Sequence, residues 1–339
     1  MSKSDRADTS RLAIAVELSG VSKQFSQRQR GTGNLWRQFT HPEYRSVRAL
    51  DGVSMRIARG EFVAYAGPNG AGKSTTFKLL CGMLKPDAGE VRALGMDPLG
   101  QRVELMRHTG VLFGGRTELW WDHPVISSFE WKKAVWDIPD ETYDRMLKLA
   151  VRELELEPVL HTFARELSLG QRMRADLAML LLHDPELILL DEPTLGLDVL
   201  SKQRMIDVLH MLNSERGATI LVTSHDMDDL MRMARRVVMI NRGRIAFDGA
   251  FEALAQSGQL RRITVTARTC PELPGAQLVS SEGERHTFEV DTQATDMRSI
   301  MSALSRQDVD DIESARAPIE DVIARLYAQW SGAPHDATK

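Results

Sequence analysis

Up to about residue 255, short apolar runs alternate with segments of helical spacing. Phe62-Val63-Ala64-Tyr65-Ala66 is one such run, closed by a glycine-rich turn, and it predicts a buried strand. Residues 187–190, 219–223 and 237–240 repeat the pattern, and residues 111–113 are a shorter instance. Residues 12–18 and 53–57 predict two earlier strands, the second ending at the Arg59-Gly60 turn, and residues 245–249 close the series. Residues 74–84 have helical spacing and stop before Lys85-Pro86, where a helix should end. Residues 251–255 start a helix leading out. Strands alternating with helices predict an α/β core. Between residues 125 and 182 helix-like segments dominate with no clear strand, which predicts a helical subdomain, about 115–182, inserted in that core.

After Gln259 the texture changes. Residues 263–266 and 287–290 alternate apolar and polar positions, and residues 297–304 and 319–330 are helix-like. They predict a small α+β domain over 260–331. The expected organisation is a tail at 1–10, a first domain over 11–255 with an insert at 26–46, the second domain, and a tail at 332–339. A chain of 339 residues suits roughly two domains at common sizes.

Composition changes this picture little. The net charge of −4 gives no global pull toward nucleic acid or membrane, so any basic contact surface must be local. Two cysteines far apart, Cys81 and Cys270, suit a reducing compartment, and Cys81 in its apolar run reads as a core residue. No apolar run reaches the roughly 18–20 residues needed to span a bilayer, and the polar residues 1–11 lack a signal-peptide core. The expectation is a cytoplasmic protein whose membrane function, if it has one, needs a separate membrane subunit. His286, in a polar strand-like run, is expected at the surface.

The chemistry lies in four places. Gly67-Pro68-Asn69-Gly70-Ala71-Gly72-Lys73-Ser74 matches the phosphate-loop pattern in full, between a predicted strand and a predicted helix. Its glycines let backbone N–H groups turn inward around a β-phosphate. Lys73 would reach the β- and γ-phosphates, Ser74 would place its hydroxyl on magnesium, and the helix dipole would face the phosphates. Asp191-Glu192 ends the run at 187–190, so a buried parallel strand would deliver both carboxylates at its C-terminal end. Asp191 would hold magnesium through water, and Glu192 would act as general base on the attacking water. Thr223-Ser224-His225-Asp226 ends another apolar strand. Asp198, in Leu195-Gly196-Leu197-Asp198, reads as a helix cap.

Leu167-Ser168-Leu169-Gly170-Gln171-Arg172, just ahead of the Asp-Glu strand, resembles the signature motif of ABC ATPases, usually written Leu-Ser-Gly-Gly-Gln. With the phosphate loop, the acidic pair, His225, Asp198 and Phe25 in Val21-Ser22-Lys23-Gln24-Phe25, the motifs span residues 21–249 in the order of an ABC nucleotide-binding domain. The resemblance implies a P-loop ABC ATPase core with a β-rich N-terminal subdomain and an inserted helical subdomain. It implies an ATP hydrolase with ATP and Mg2+ as ligands. Phe25, Gly67, Asn69, Gly70, Gly72, Lys73, Ser74 and Thr75 would bind ATP, Ser74 and Asp191 would hold the metal, and Glu192 and His225 would be catalytic, His225 as the switch histidine. Phe25 would stack on adenine, or serve as a core aromatic at a strand end. Asp198 would lie in the D-loop. Ser168, Gly170 and Gln171 would act in trans, on ATP held by a second copy, or by a paralogous ATPase. Integral membrane permease subunits would read the closing and opening as a stroke, holding the chain on the inner face of the cell membrane; no nucleic-acid partner is expected.

Finer similarity, in residues 119–122, 167–174 and 224–229 and in Ile319-Glu320-Asp321-Val322-Ile323, is to ATPases of export systems with type-2 permeases, including multidrug or viologen-type exporters. Rival readings are a soluble ABC ATPase acting on ribosomes or nucleic acid, the ATPase of a lipid-linked polysaccharide exporter, and a small-molecule kinase. Two positions depart from the family. Leu169 stands where glycine is usual, so its side chain must point away from phosphate. Gly115, in Phe113-Gly114-Gly115-Arg116, stands at the position of the Q-loop glutamine, which links site and permease in the family. Residues 23–48 carry Lys23, Arg28, Arg30, Arg37, Arg45 and Arg48 against Glu43, with Trp36, Phe39 and Tyr44 interleaved. They read as a solvated loop or as a permease- or headgroup-contacting element. Trp120, Trp121, Trp131 and Trp136 read as core residues or as anchors for a permease helix.

Overall fold

The computed structural model describes residues 13–28, 44–257, 260–292 and 294–332. The expected tail at 1–10, most of that at 332–339, and residues 29–43 of the expected insert lie outside the described residues. The chain divides into two compact units, Met1–Asp248 and Gly249–Lys339.

In the first unit, β1 (Ile14–Arg28) pairs antiparallel with β2 (Tyr44–Ala58) and with β4 (Ala88–Ala93), in the order β2-β1-β4. Both long strands run well past the predicted segments. Register shifts between Leu18 and Lys23 break the alternation there, which hides strand character from a periodicity reading. A six-stranded sheet follows the order β5-β6-β7-β3-β8-β9. Its strands are β3 (Phe62–Ala66), β5 (Thr109–Phe113), β6 (Leu187–Asp191), β7 (Thr219–Thr223), β8 (Arg236–Asn241) and β9 (Arg244–Ala250). Strands β5, β6, β7, β3 and β8 are parallel neighbours, and β3, β6 and β7 are buried at every position, as continuous apolar runs require.

One apolar core joins the two sheets through α1 (Lys73–Leu80). Phe77, Leu79 and Leu80 share one buried cluster with Val16, Leu18, Leu50 and Ile57 of the antiparallel sheet and with Val63, Tyr65 and Ile240 of the parallel one. Burying each such side chain contributes about 1.5–3 kcal/mol. Helix α1 ends short of the expected residue 84. Gly82 N donates to Leu79 O and Met83 N to Lys78 O (2.8 Å), which turns the chain back on itself. Cys81 is buried as expected, and burial pushes its thiol up to about 12.

After α2 (Arg102–Arg107) and β5, the chain forms α3 (Val125–Val135), α4 (Asp140–Glu153), two 3-10 turns and α5 (Leu169–Leu181). Then come β6, α6 (Val199–Arg216), β7, α7 (Met227–Met233), β8 and β9.

The second unit opens with α8 (Phe251–Ser257) and has an antiparallel sheet of order β11-β12-β10-β13. These strands are β10 (Leu260–Thr266), β11 (Ala276–Glu282), β12 (Arg285–Asp291) and β13 (Asp311–Arg316). Ile263, Val265, Phe288 and Val290 form its core with Ile300 and Leu304 of α9 (Met297–Leu304). Helix α10 (Ile319–Gly332) follows. Strands β11 and β13 escaped the sequence reading because nearly every residue in them is exposed, leaving no alternation. His286 is not at the surface. Inward positions alternate along β12, and His286 takes one of them with Phe288 and Val290. No described helix is long and apolar enough to cross a membrane.

Candidate functional site

Parallel pairing gathers the predicted residues at one edge. Strand β3 lies beside β7, and β7 beside β6, with Asp191 level with Thr223 and Phe113 level with Asp191. The chain therefore leaves β3 into the phosphate loop, β6 into Asp191-Glu192, β7 into Ser224-His225 and β5 into Gly114-Gly115, all at the carboxyl edge.

The loop fits a nucleotide phosphate chain. Gly72 caps α1 at φ +118, a backbone that L side chains rarely adopt, and a Cβ there would fall 2.6 Å from Ala49 O. No side chain caps α1, so its first-turn N–H groups, around Lys73, Ser74 and Thr75, are open to an anion. Lys73 is buried, with Nζ donating to Gly67 O (2.7 Å) and Pro68 O (3.3 Å). Burial lowers its pKa, against the opposing pull of Glu192 and Asp191. Asn69 and Gly70 form the exposed rim.

Ser74 and Asp191 meet directly: Ser74 Oγ donates to Asp191 Oδ2 at 2.8 Å. A hydroxyl and a carboxylate at one point are hard oxygen donors of the kind a magnesium ion takes, so the pair fits that ion. Thr223 Oγ1 donates to the other oxygen, Asp191 Oδ1, at 2.6 Å. Its hydroxyl and carbonyl both accept from Glu192 N, each at 3.1 Å. Glu192 needs that support, because its φ of +57 lies in the left-handed region, where a non-glycine residue costs about 1–3 kcal/mol. His225 Nε2 lies 2.6 Å from Glu192 Oε1. The sequence reading passed over Thr223; the signal was a threonine ending an apolar strand level with a carboxylate.

Phe25 is half-buried in β1 opposite Val47, two residues along β2 from the Ala49 carbonyl that backs Gly72, with Lys23 Nζ 5.8 Å from its ring. Lys23 itself pairs with Asp87 (2.7 Å), and Arg48 with Asp51 (2.9 Å), so the two cations at the ends of the basic run 23–48, outside the expected insert, have acidic partners.

The signature residues form a second cluster. Ser168 caps α5 in a reciprocal box: Gln171 N donates to Ser168 Oγ (3.2 Å) and Ser168 N to Gln171 Oε1 (2.9 Å). Asp198 caps α6, accepting from Leu200 N, Ser201 N and Ser201 Oγ. A Cβ on Gly170 would meet that Ser201 hydroxyl at 2.9 Å, and Leu169 rests against Gly196, so the two helix starts abut. Among the described residues no hydrogen bond within this chain joins Ser168 or Gly170 to Lys73 or Glu192.

Gly115 has φ +72 with open space where a Cβ would be. A glutamine there would have room and would strain the backbone by about 1 kcal/mol. Trp120, Trp121 and Trp131 are each more than a third exposed; Trp120 and Trp131 have centroids 5.4 Å apart, and Arg172 lies over Trp121. Trp136 instead packs at a tilt against His183, with Lys132 Nζ 4.7 Å from its ring centroid.

Parallel sheet, phosphate loop and acidic pair define a P-loop ATPase. A family model described as ABC transporter matches residues 50–195, and an AAA-domain model matches residues 161–231. An ABC transporter ATP-binding protein of Bacillus subtilis, NatA, is 31% identical over 62% of this chain and 85% of its own length. An aliphatic sulfonates import ATP-binding protein of Nocardia farcinica is 33% identical over 71% of this chain and 83% of its own. Among solved structures, a dimeric ATP-binding cassette bound to ADP and Pi matches with TM-score 0.57 and 24% identity, covering 69% of this chain and 98% of that one. The cbiO1 subunit of Clostridium perfringens matches with TM-score 0.59 and 25% identity, over 72% and 92%. The chain belongs to the ABC transporter ATP-binding proteins: it is an ATP-binding, ATP-hydrolysing subunit of that family.

Proposed function

We propose that this chain is the ATPase of an export system, closing on ATP as a head-to-tail dimer and driving a separate membrane permease. The observation that carries the ATPase part is the joined pair of contacts, Ser74–Asp191–Thr223 and Glu192–His225, at one sheet edge. Lys73 and the first-turn N–H groups of α1 bind the β- and γ-phosphates, and Phe25 stacks on adenine. Ser74 and Asp191 hold a magnesium ion, which when bound neutralises charge on the phosphate oxygens. Glu192 takes a proton from the attacking water as it adds to γ-phosphorus, and the bond to the ADP oxygen breaks. His225 holds the Glu192 carboxylate toward that water.

Ser168, Gly170 and Gln171 are separate from this cluster in their own chain, which supports their acting on the site of a second copy, with Asp198 beside them. The exposed Trp120, Trp121 and Trp131 are anchors for a permease helix. Export rather than import rests on the residue patterns at 119–122 and 167–174, and the C-terminal unit is an accessory domain of such exporters.

Mixing tests the shared site. Lys73→Ala and Gly170→Asp chains are each inactive alone, and their mixture regains turnover because one mixed site has both halves intact. Two inactive chains that stay inactive together overturn the trans reading. A multi-span membrane protein recovered with the tagged chain supports the permease; recovery of ribosomes instead overturns it.

A further inference from the structure

Asp176 is a buried carboxylate on α5, the helix that begins at Ser168 and Gly170, and none of the proposed chemistry uses it. Its Oδ1 accepts from Thr117 Oγ1 (2.8 Å) and from Glu118 N (3.1 Å), both in the segment after β5. Thr117 Oγ1 also accepts from Leu119 N, and Trp120 N donates to buried Ser128 of α3, so residues 117–120 are fastened along their length. Lys132, 3% exposed, lies over the Trp136 ring with Nζ 3.5 Å from Glu118 Oε2.

The other end of the segment is at the ATP site. Gly114 approaches the acidic pair so closely that a Cβ would lie 2.9 Å from Asp191 O. Gly115 follows in the left-handed region with open space around it. The segment thus starts against Asp191, turns at a two-glycine joint, and ends bonded to the helix of the signature.

We propose that Asp176 is a positioning residue, tying residues 117–118 to α5 so that a displacement at Asp191-Glu192 moves Ser168 and Gly170 without a glutamine at 115. This rests on the trans reading above. An apolar residue would fill the position more cheaply than a carboxylate, which desolvation disfavours. Burial pushes the Asp176 carboxyl up to about 6, against the two donated bonds. The charged groups facing it are Glu118 from the segment, Arg172 on its own helix and Lys132 from α3. The anion is held by this surround, and its two bonds run to the segment that touches the site.

The test uses the full chain, with ATP turnover and binding of ADP measured on each variant. Asp176→Ala should lower turnover about tenfold, the loss expected of hydrogen bonds to a charged group, with ADP affinity unchanged. Thr117→Val, a milder change should the first variant not fold, should lower turnover less. The double variant should be no worse than Asp176→Ala, since both substitutions break one connection. Asp176→Asn keeps the acceptor oxygen and should restore most of the turnover. Full turnover in both Asp176→Ala and Thr117→Val overturns the proposal. So does a parallel fall of turnover and ADP affinity that Asp176→Asn does not rescue, the mark of a merely structural role. Failure of the mixing experiment overturns the shared site itself, whereas silent Asp176 and Thr117 variants with successful mixing overturn only this connection.

Discussion

His225 follows a buried strand and His286 lies within a half-buried one, and the sheets around them use them oppositely. His225 follows β7 at the carboxyl edge of the parallel sheet, is 41% exposed, and touches one strained carboxylate, Glu192. His286 is 3% exposed within β12, with Nδ1 2.8 Å from Ser281 Oγ and Nε2 3.1 Å from Ala267 O. Both of its nitrogens are satisfied inside the sheet, so it has no valence left for a ligand. The same division holds for the ion pairs. The second unit matches Arg262 with Asp321 and Arg325 with Asp291, while the edge around His225 gathers Asp191, Glu192 and Lys73 at one place. An open parallel edge leaves polar groups facing outward where strands end; the second unit closes its polar groups among its own strands and onto α10.

The strongest challenge to this contrast is Glu192→Gln. It should cut ATP turnover by about 10²–10⁴-fold, the range for a lost general base, while leaving ATP binding intact and trapping a dimer. Turnover near the parent rate in a steady-state assay removes Glu192 as the base and with it the functional half of the comparison. His286→Leu tests the other half. It leaves Ser281 Oγ and Ala267 O without this partner, and should destabilise the C-terminal unit by about 1–3 kcal/mol in thermal unfolding, with turnover unchanged. A fall in turnover at full stability gives His286 a role in the chemistry.

A pH dependence comes from Asp176, which lies in neither region. Its folded-state pKa, about 6, is raised above the unfolded value by burial. Between the two values the folded chain binds the extra proton, so stability at this group is present at low pH. It is lost as pH rises through about 4 to 6 and is level above. The loss is on the order of 3 kcal/mol. Denaturant unfolding across that window should show the slope in the parent chain and a flatter one in Asp176→Asn. Equal slopes in the two chains reject the burial of an ionising Asp176.

Short-range chemistry was legible along the chain. The phosphate loop declares itself because the residues shaping it are neighbours: Gly72 turns the backbone, and Lys73 and Ser74 open the helix the turn creates. Asp198 was legible as a cap for the same reason, since its partners are Leu200 and Ser201. Strand β3 matched its predicted bounds because an uninterrupted apolar run has one use in a buried parallel sheet. Strands β11 and β13 carried no such signal, being exposed at nearly every position, and the surface reading of His286 failed because a polar side chain occupies the next inward position of the alternation that Phe288 and Val290 make plain.

By itself, then, the sequence determined the chemistry available to this protein: a phosphate-binding loop, two carboxylates ending an apolar strand, a histidine ending another, and a capped signature helix. Each is encoded within a few residues, where backbone geometry follows from local composition. Only the tertiary structure decided how these parts act on one another. It brought Ser74 to Asp191 across 117 positions, placed Thr223 under both acidic residues, held Glu192 in a left-handed backbone, and bonded Thr117 to Asp176 across 59 positions. Those contacts depend on strand order and register, which burial of whole apolar faces selects.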